Sequence, residues 1–345
     1  MLLFISFILI FKLLTSGFLF LIIKVYGGAM KILVTGGAGF IGSNVVDGYI
    51  REGHEVVVVD NLYTGRTENL NPKARFYLLD VRSAEMSKVF EIERPDVVNH
   101  HAAQMSVPAS VEDPAFDADI NIMGLINLLQ NSVGYGVKKF TFISSGGAIY
   151  GEKENIPISE TDQPLPLSPY AITKLTSEKY LGFYKHQYNL DYTVLRYANV
   201  YGPRQVPHAE AGVVSIFMNK LRNGEPPVIY HYPDEPDGMT RDYCYVGDIV
   251  SANILALKKG SGDAVNIGTS KETTTGELYR TILEIMKRHG YARDAMFDTP
   301  QKAAARSGDL RRSALNIERA KKILGWQPEY DLKRGLEETI LNELG

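Results

Sequence analysis

Residues 31–42 read KILVTGGAGFIG, an apolar strand that runs into a turn with glycines at positions 36, 37, 39 and 42. This layout lets backbone N–H groups approach a pyrophosphate at the start of a helix. Glycines also serve ordinary tight turns, so the turn alone is weak evidence. Residues 56–60, VVVVD, add a buried strand that ends in Asp60, where a ribose diol needs an acceptor. The two segments together predict a dinucleotide site.

The composition indicates a globular protein with one large core or two joined cores. The chain has 345 residues, of which 45% are hydrophobic and 22% are charged. A net charge of -3 provides no basic field for a nucleic-acid backbone, so we expect no nucleic-acid partner. Cys244 is the only cysteine, which excludes an intrachain disulfide and a cysteine metal cluster. We therefore expect a reducing, cytoplasmic location.

The first 26 residues are almost wholly apolar and long enough for a membrane span. Lys12 lies near the middle of this segment, where a lysine costs about 2.5–3.5 kcal/mol on insertion scales. A cleaved secretory signal is disfavoured, because it would export the domain away from its cofactor. Met30 lies just ahead of the first predicted strand. We expect a mis-assigned start at residues 1–29, and a membrane contact only if residues 1–26 are a real anchor.

After Gly42, short apolar runs alternate with longer amphipathic stretches. This pattern predicts an α/β fold with a doubly wound parallel sheet, Rossmann-like, whose ligands collect at the carboxyl ends of the strands. The predicted strands are 31–35, 56–60, 75–79, 97–100, 140–144 and 193–197, and the predicted helices are 41–52, 115–134 and 170–188.

The composition changes near residue 200, where Pro, Gly and Tyr become frequent. Stretches such as 232–238 are typical of a substrate-facing loop region rather than a core element. We therefore expect an apolar extension at 1–29, a cofactor-binding domain at 30–200, and a smaller, partly interleaved substrate region formed mainly by 201–345.

Residues 168–174, SPYAITK, open a predicted helix. Tyr170 and Lys174 are four residues apart, so both side chains project from one face. A nearby ammonium stabilises a phenolate and lowers the phenol pKa from about 10 toward neutrality, which general acid/base catalysis requires. The same spacing is common on surface helices. The glycine turn upstream favours the catalytic interpretation.

Residues 142–151, FISSGGAIYG, predict a strand that ends in small hydroxyl and glycine residues. A hydroxyl at this place is able to hydrogen-bond a reacting oxygen opposite the tyrosine. Ser144 and Ser145 are equally able to satisfy local backbone groups, so both interpretations stay open.

Residues 99–104, NHHAAQ, end another predicted strand and include two adjacent histidines. Neighbours on a strand point to opposite faces, and no ligand-rich partner motif is visible. We expect no metal here. We expect instead a rim of small residues that lets a cofactor pass close to the backbone.

Further polar residues follow other predicted strand ends or lie in loops. Asp80 either accepts from an adenine amino group or caps a helix. Asn199 and Arg204 follow the sixth strand, and Arg241 and Arg306 stand beside Asp and Gly in loops. A single arginine is usually a solvated surface residue, but several in such loops form a candidate clamp for a substrate phosphate.

Together these residues resemble the extended short-chain dehydrogenase/reductase superfamily, and most closely its UDP-glucose 4-epimerase-like nucleotide-sugar enzymes. The resemblance extends from about Met30 to the C-terminus, and its motifs are specific in combination. They are the turn at 36–42, residues 60–62, 80–81 and 101–104, Tyr170-x-x-x-Lys174, and residues 196–202, 241–243 and 306–309.

The resemblance implies a tightly held NAD that takes a hydride from C4 of a nucleotide-linked hexose and returns it to the other face of a 4-keto intermediate. Tyr170 would remove the C4 hydroxyl proton, Lys174 would hold its phenolate, and Asp60 would bind the adenosine ribose. No arginine follows Asp60, which favours NAD over NADP. The implied cofactor-binding residues are Gly36, Gly39, Phe40, Ile41, Gly42, Asp60, Asn61, Leu62, Gly65, Asp80, Val81, His101, Ala102, Ala103, Gln104, Asn121, Tyr170 and Lys174. The implied substrate-binding residues are Ser145, Asn199, Arg204, Arg241 and Arg306.

One position departs from the family pattern. The family usually places its catalytic Ser or Thr four residues before the position of Tyr150, and Gly146 stands there. Ser145 is the nearest replacement. Related 4,6-dehydratases carry an Asp-Glu pair where this chain has Gly147 and Ala148, so elimination lacks its proton donor and epimerisation is expected.

The leading hypothesis is therefore an NAD-dependent UDP-hexose 4-epimerase acting on UDP-glucose and UDP-galactose. The alternatives are a UDP-glucuronate or UDP-N-acetylglucosamine 4-epimerase, another nucleotide-sugar dehydratase or reductase, and a non-enzymatic NAD-binding sensor. The predicted helices 115–134 and 170–188 resemble those that form a two-fold four-helix interface in the family, so we expect a homodimer.

Overall fold

The computed structural model describes residues 28–207, 212–292, 294–306 and 309–344. The apolar segment 1–26, for which a mis-assigned start or an anchor was predicted, lies outside the described residues. Among the residues that are described, no helix combines the length and apolar character that a membrane span needs.

A seven-stranded parallel sheet with the strand order β3-β2-β1-β4-β5-β6-β11 is the centre of the fold. The Rossmann-like α/β prediction is confirmed, and the six predicted strands agree with the structure to within two residues. The strands of the described chain are β1 Lys31–Thr35, β2 Glu55–Asp60, β3 Arg75–Leu78, β4 Val97–His100, β5 Lys139–Ser145, β6 Asp191–Tyr197, β7 Asn199–Tyr201, β8 Val228–His231, β9 Thr240–Arg241, β10 Tyr243–Tyr245, β11 Asp263–Ile267, β12 Thr273–Thr274, β13 Gln301–Ala304 and β14 Arg312–Ser313.

Helices cover this sheet and form much of the C-terminal half. They are α1 Phe40–Arg51, α2 Met86–Glu93, α3 Val107–Glu112, α4 Pro114–Ala118, α5 Gly124–Gly134, α6 Gly146–Ile149, α7 Pro169–Tyr188, α8 Val213–Arg222, α9 Val246–Ala256, α10 Thr275–Arg288, α11 Glu318–Leu324 and α12 Leu332–Leu344. A π-helical turn, Asp119–Met123, joins α4 to α5, and 3₁₀ turns occur at Thr67–Asn69 and Ala295–Asp298.

The central strands are apolar without alternation, because helices bury both faces of a parallel sheet. Residues 32–34 of β1 and 56–59 of β2 are buried throughout. The strand order reverses between β1 and β4, and this reversal opens a crevice at their carboxyl ends. The glycine turn after β1 and the loop after β4 both begin at that crevice.

The C-terminal half is more ordered than its composition predicted. Residues 201–345 were expected to form mainly a substrate region with loops such as 232–238, and α8, α10 and α12 pack there around a hydrophobic core that includes Phe217, Tyr279 and Leu336. The Pro- and Gly-rich stretches are the connections between these helices and short strands. β11 also joins the large sheet beside β6, so the two halves of the chain interleave.

Candidate active site

The glycine turn brings the backbone of β1 against the loop that follows β4. Gly36 has φ +70°, and a Cβ atom there would lie 2.6 Å from the Ala102 nitrogen. A Cβ on Gly42 would lie 2.2 Å from the Gly36 oxygen. Helix α1 starts at Phe40, and no side chain caps its first N–H groups. The turn therefore leaves backbone donors at a helix N-terminus, as a pyrophosphate requires.

Asp60, at the end of β2, holds this turn through hydrogen bonds to its backbone. Its Oδ2 accepts a hydrogen bond from the Ala38 N–H at 3.0 Å, and its Oδ1 accepts one from the Leu62 N–H at 2.8 Å. A Cβ on Gly65 would lie 2.8 Å from Oδ1, so the backbone passes directly over the carboxylate. A carboxylate with two oxygens has room for further donors, as a ribose diol would provide.

Asp80 accepts more hydrogen bonds from its neighbours than the sequence predicted. Its two oxygens accept from the Arg82 side chain at 2.9 Å each, from the Arg82 N–H at 2.9 Å, and from Asn61 Nδ2 at 3.0 Å. Hydrogen bonds from Arg82 lower the pKa of Asp80 to about 2. An adenine amino group would have to replace one of these donors. Val81 is buried beside them.

A buried polar network connects the loop after β4 to helix α7. Asn121, in the π-helical turn, accepts from the Gln104 N–H and donates to the Gln104 carbonyl, both at 3.0 Å. Asn121 Nδ2 also donates to Asp117, and Asp117 accepts from the Thr173 hydroxyl at 2.8 Å. The predicted residues His101 to Gln104 therefore lie against the helix that carries Tyr170 and Lys174.

His100 at the end of β4 is buried, His101 after it is half-buried, and the pKa of each lies below the usual value for histidine. His100 Nδ1 shares a hydrogen bond of 2.7 Å with the Thr35 hydroxyl, and burial lowers the pKa of His101 to about 3. His101 Nε2 is buried and has no hydrogen-bond partner among the described residues. Within the described ranges no group of His, Cys, Asp and Glu side chains is arranged to hold a metal ion.

Helix α7 positions Tyr170 and Lys174 beside the end of β5. Ser168 caps the helix by accepting from the Ala171 N–H at 3.2 Å. The Lys174 ammonium donates to the Ile143 carbonyl at 2.9 Å and lies 5.9 Å from the centre of the Tyr170 ring. Ser145 lies close enough to Tyr170 for its hydrogen bonding to lower the pKa of the phenol. The structure thus brings all three predicted catalytic residues together.

The pKa values at this site differ from the sequence-based prediction. Burial raises the pKa of Tyr170 to about 12, and the hydrogen bond from Ser145 opposes the rise. Burial lowers the pKa of Lys174 to about 8, although Asp117 and Glu178 oppose this shift. The predicted fall of the phenol pKa toward neutrality is therefore not seen, because burial disfavours the charged phenolate.

The predicted substrate-binding residues are distributed over two regions. Asn199 lies beside the turn after β5, since its Oδ1 is 3.5 Å from where a Cβ on Gly147 would lie. Arg241 and Arg306 are half-buried in the C-terminal half, with Arg306 4.1 Å from the centre of the Tyr230 ring. Residues 307 and 308 of the Arg306 motif lie outside the described residues.

Arg204 faces helix α1 and the C-terminal helix. Its Nη2 donates to Asp47 at 2.7 Å, and its N–H donates to Glu343 at 2.6 Å. It lines a cleft of about 290 Å³ that also includes Arg66 and Arg222. The guanidinium is thus engaged in holding the two halves of the chain together.

Sequence reasoning missed a buried ion pair next to the end of β5. Arg196 donates to Glu178 from Nε at 3.0 Å and from Nη2 at 2.6 Å, and Ser144 donates to the same carboxylate at 2.6 Å. Both members of the pair are buried. Glu178 stands four residues after Lys174, and this continuation of the helix face was the available signal.

These residues fit a bound dinucleotide. The turn can hold no side chain at Gly36 or Gly42, the start of α1 has uncapped donors, and His101 Nε2 is an unpaired polar atom at the same edge. The profile of the NAD dependent epimerase/dehydratase family matches residues 32–268. The chain belongs to this family. Its cofactor is accordingly NAD.

Curated and solved relatives agree with this assignment over almost the whole chain. The UDP-glucose 4-epimerase of Mycolicibacterium smegmatis is 42% identical over 318 residues, which cover 90% of this chain and 97% of the relative. A UDP-glucose 4-epimerase from Thermotoga maritima, solved with UDP-glucose, is 48% identical with a TM-score of 0.85, covering 91% of this chain and 98% of its own. The enzyme of the same name from Thermus thermophilus, in complex with NAD, is 42% identical with a TM-score of 0.84, covering 92% and 99%.

Proposed function

We propose that this protein is an NAD-dependent isomerase that interconverts UDP-glucose and UDP-galactose at C4 through a transient 4-keto sugar. The observation that carries the proposal is the buried Lys174 ammonium, which lies 5.9 Å from the centre of the Tyr170 ring and donates to the Ile143 carbonyl at 2.9 Å, at the same sheet edge as the glycine turn. The names of the similar proteins support the substrate class. A role in galactose metabolism follows from this reaction.

Each catalytic side chain has a separate task. Tyr170 takes the proton of the C4 hydroxyl and later returns one, Ser145 orients that hydroxyl by hydrogen bonding, and Lys174 stabilises the phenolate. Bound NAD would supply the acceptor and donor of the C4 hydride, and its positive charge would favour the phenolate form of Tyr170. The buried surroundings strengthen every charge interaction at the site.

The binding groups lie on both sides of the catalytic residues. We assign Asp60 to the adenosine ribose of NAD and the N–H groups at the start of α1 to its pyrophosphate. Asn199, Arg241 and Arg306 are assigned to the nucleoside diphosphate of the substrate. In this assignment residues 30–200 hold NAD, and residues 201–345 contribute Arg241 and Arg306 to the binding of the substrate.

Epimerisation is favoured over dehydration by the turn that follows Ser145. Dehydration across C5 and C6 needs an acid and a base in addition to Tyr170. Gly147 and Ala148 occupy the place of the dehydratase pair, and neither has an acidic or basic side chain. A ketone formed at C4 would therefore be reduced again rather than lose water.

The chemistry is tested by incubating the purified protein with UDP-galactose without added NAD. We expect UDP-glucose to form until the two sugars reach equilibrium, because the enzyme carries its cofactor. A panel of UDP-N-acetylhexosamines and UDP-hexuronates, run in parallel, distinguishes the alternative 4-epimerases. No product from any of these substrates would contradict the proposal and favour an NAD-binding sensor.

We also propose a homodimer. Several large apolar side chains on α3, the π-helical turn and α7 are exposed: Val111 62%, Met123 55%, Ile172 50% and Phe183 51%. Ile172 and Phe183 are eleven residues apart, which places them on one face of α7. A second copy of the same face would bury this surface in a helical interface.

A further inference from the structure

The position that the family usually gives to a catalytic hydroxyl has no room for a side chain in this protein. A Cβ atom on Gly146 would lie 2.5 Å from Cδ1 and 3.0 Å from Cδ2 of Leu315, and 3.2 Å from the Arg196 carbonyl oxygen. Carbon atoms do not approach within 3 Å without displacement. Leu315 therefore occupies the space into which a serine or threonine at position 146 would project.

Leu315 is held firmly in this place. Its side chain is fully buried in a small cluster with Ile149, Tyr150 and Ile158. Its N–H donates to Asp242 Oδ2 at 3.2 Å, and its carbonyl accepts from the Ser270 hydroxyl at 2.8 Å. Because both the backbone and the side chain are fixed, the isobutyl group cannot leave without disturbing the cluster.

We propose that Leu315 is a positioning residue that excludes a hydroxyl at residue 146 and makes Ser145 the hydroxyl that contacts Tyr170. This inference rests on the proposed function, since it assigns Ser145 to that reaction. Asp242, which holds Leu315, directly follows Arg241 in the chain. Leu315 is thus hydrogen-bonded to the chain neighbour of a predicted phosphate ligand.

The inference is tested by moving the hydroxyl. Ser145→Ala lowers kcat about 100-fold, and adding Gly146→Ser alone does not restore it, because Leu315 blocks the new side chain. Adding Leu315→Ala to this double variant makes room, and kcat then rises at least about tenfold above that of Ser145→Ala/Leu315→Ala, with KM little changed. The matched control is Ile158→Ala in place of Leu315→Ala, which removes a buried side chain of the same cluster and gives no recovery.

The outcomes separate this inference from the proposed function. A wild-type protein that turns over no UDP-sugar contradicts the proposed function itself. With an active wild type, the inference is overturned if Gly146→Ser restores the kcat of Ser145→Ala while Leu315 is in place. It is also overturned if Ile158→Ala restores kcat as well as Leu315→Ala does, or if the folded, NAD-loaded variant Ser145→Ala/Gly146→Ser/Leu315→Ala shows no recovery of kcat.

A stability measurement tests the steric contact independently of activity. Gly146→Ala lowers the melting temperature of the wild-type protein, and it lowers that of Leu315→Ala much less, because the cavity accepts the added methyl group. Equal losses in the two backgrounds would show that Leu315 does not exclude a side chain at residue 146, and would overturn the inference.

Discussion

Tyr170 is the residue on which the proposed reaction depends, and its buried surroundings oppose ionisation. Burial holds the phenol pKa near 12, and Ser145 is the hydrogen-bond partner that opposes this rise. In the proposed reaction Lys174 and bound NAD would supply the positive charge that favours the phenolate. Binding of the cofactor and activation of the base would therefore be coupled.

Replacing Tyr170 by Phe removes the proton acceptor and leaves the ring in place. We expect turnover to fall by roughly 10²–10⁴-fold, the usual contribution of a general base, while NAD stays bound. Tyr180→Phe on the same helix is the matched control and should keep full activity. A Tyr170→Phe protein that epimerises at the wild-type rate would show that another group takes the proton.

Lys174 gives a pH dependence of stability whose sign follows from its pKa. Burial lowers the pKa of Lys174 from 10.5 to about 8, so between these values the unfolded chain binds more protons than the folded one. This group therefore destabilises the fold below pH 8, and its penalty is relieved as the pH rises toward 10. Relative to Lys174→Met, the free energy of unfolding of the cofactor-free wild type should rise by about 2 kcal/mol between pH 7 and pH 10. Denaturant unfolding across this range measures the difference, and a constant difference would contradict the assignment.

The residues predicted from sequence and those missed differ in the range of their contacts. Asp60, Tyr170 and Lys174 belong to local motifs with a chemical reason for their spacing, and the structure brings them to one sheet edge. Leu315 and Glu178 act through packing and an ion pair with distant segments. Such contacts leave no pattern in a single sequence, because most buried leucines serve only a core and most helical glutamates only face solvent.

At the scale of single elements, boundaries were predicted well where hydrophobic runs are continuous. The predicted helix 115–134 agrees with the helical segment 114–134, but the structure contains within it a π-helical turn, Asp119–Met123, that was not predicted. The turn places Asn121 against Gln104, and π-bulges occur often where a helix carries a functional side chain. Helical periodicity in a sequence predicts the apolar face of a helix. It does not reveal the one extra residue that a π-helical turn contains.

The glycine turn gives a direct test at this scale. Gly42→Ala would place a methyl group 2.2 Å from the Gly36 oxygen, so the turn must open. We expect purified Gly42→Ala protein to lose bound NAD and about 1–3 kcal/mol of stability. Gly134→Ala, in α5 with nothing within 4 Å of the added atom, is the matched control and should be neutral or stabilising by up to about 1 kcal/mol. Normal NAD content in Gly42→Ala would contradict the assigned pyrophosphate site.

At the scale of the whole molecule, six strands of the sheet follow from the sequence and the seventh does not. β11 reads DAVNI and lies far along the chain from β6, beside which it pairs. Its short, partly polar sequence resembles the loop-rich segments around it, and only the tertiary pairing identifies it as part of the sheet. The amount of regular secondary structure in the C-terminal half was underestimated for the same reason.

The proposed dimer belongs to this scale as well. Ile172→Asp puts a charge into the exposed apolar face of α7, and we expect it to convert the dimer into a monomer in light scattering after size exclusion. Ile92→Asp, at a residue of α2 that is 65% exposed, is the matched control and should leave the dimer intact. A wild-type protein that is monomeric at micromolar concentration would contradict the proposed interface.

The most direct test of the account is to follow UDP-galactose by NMR in D2O with the purified protein and no added NAD. The proposed reaction returns the C4 hydride to the carbon from which it came, without exchange with solvent. We expect the proposed reaction to give UDP-glucose that carries protium at C4. No conversion, or conversion with deuterium at C4, would contradict it.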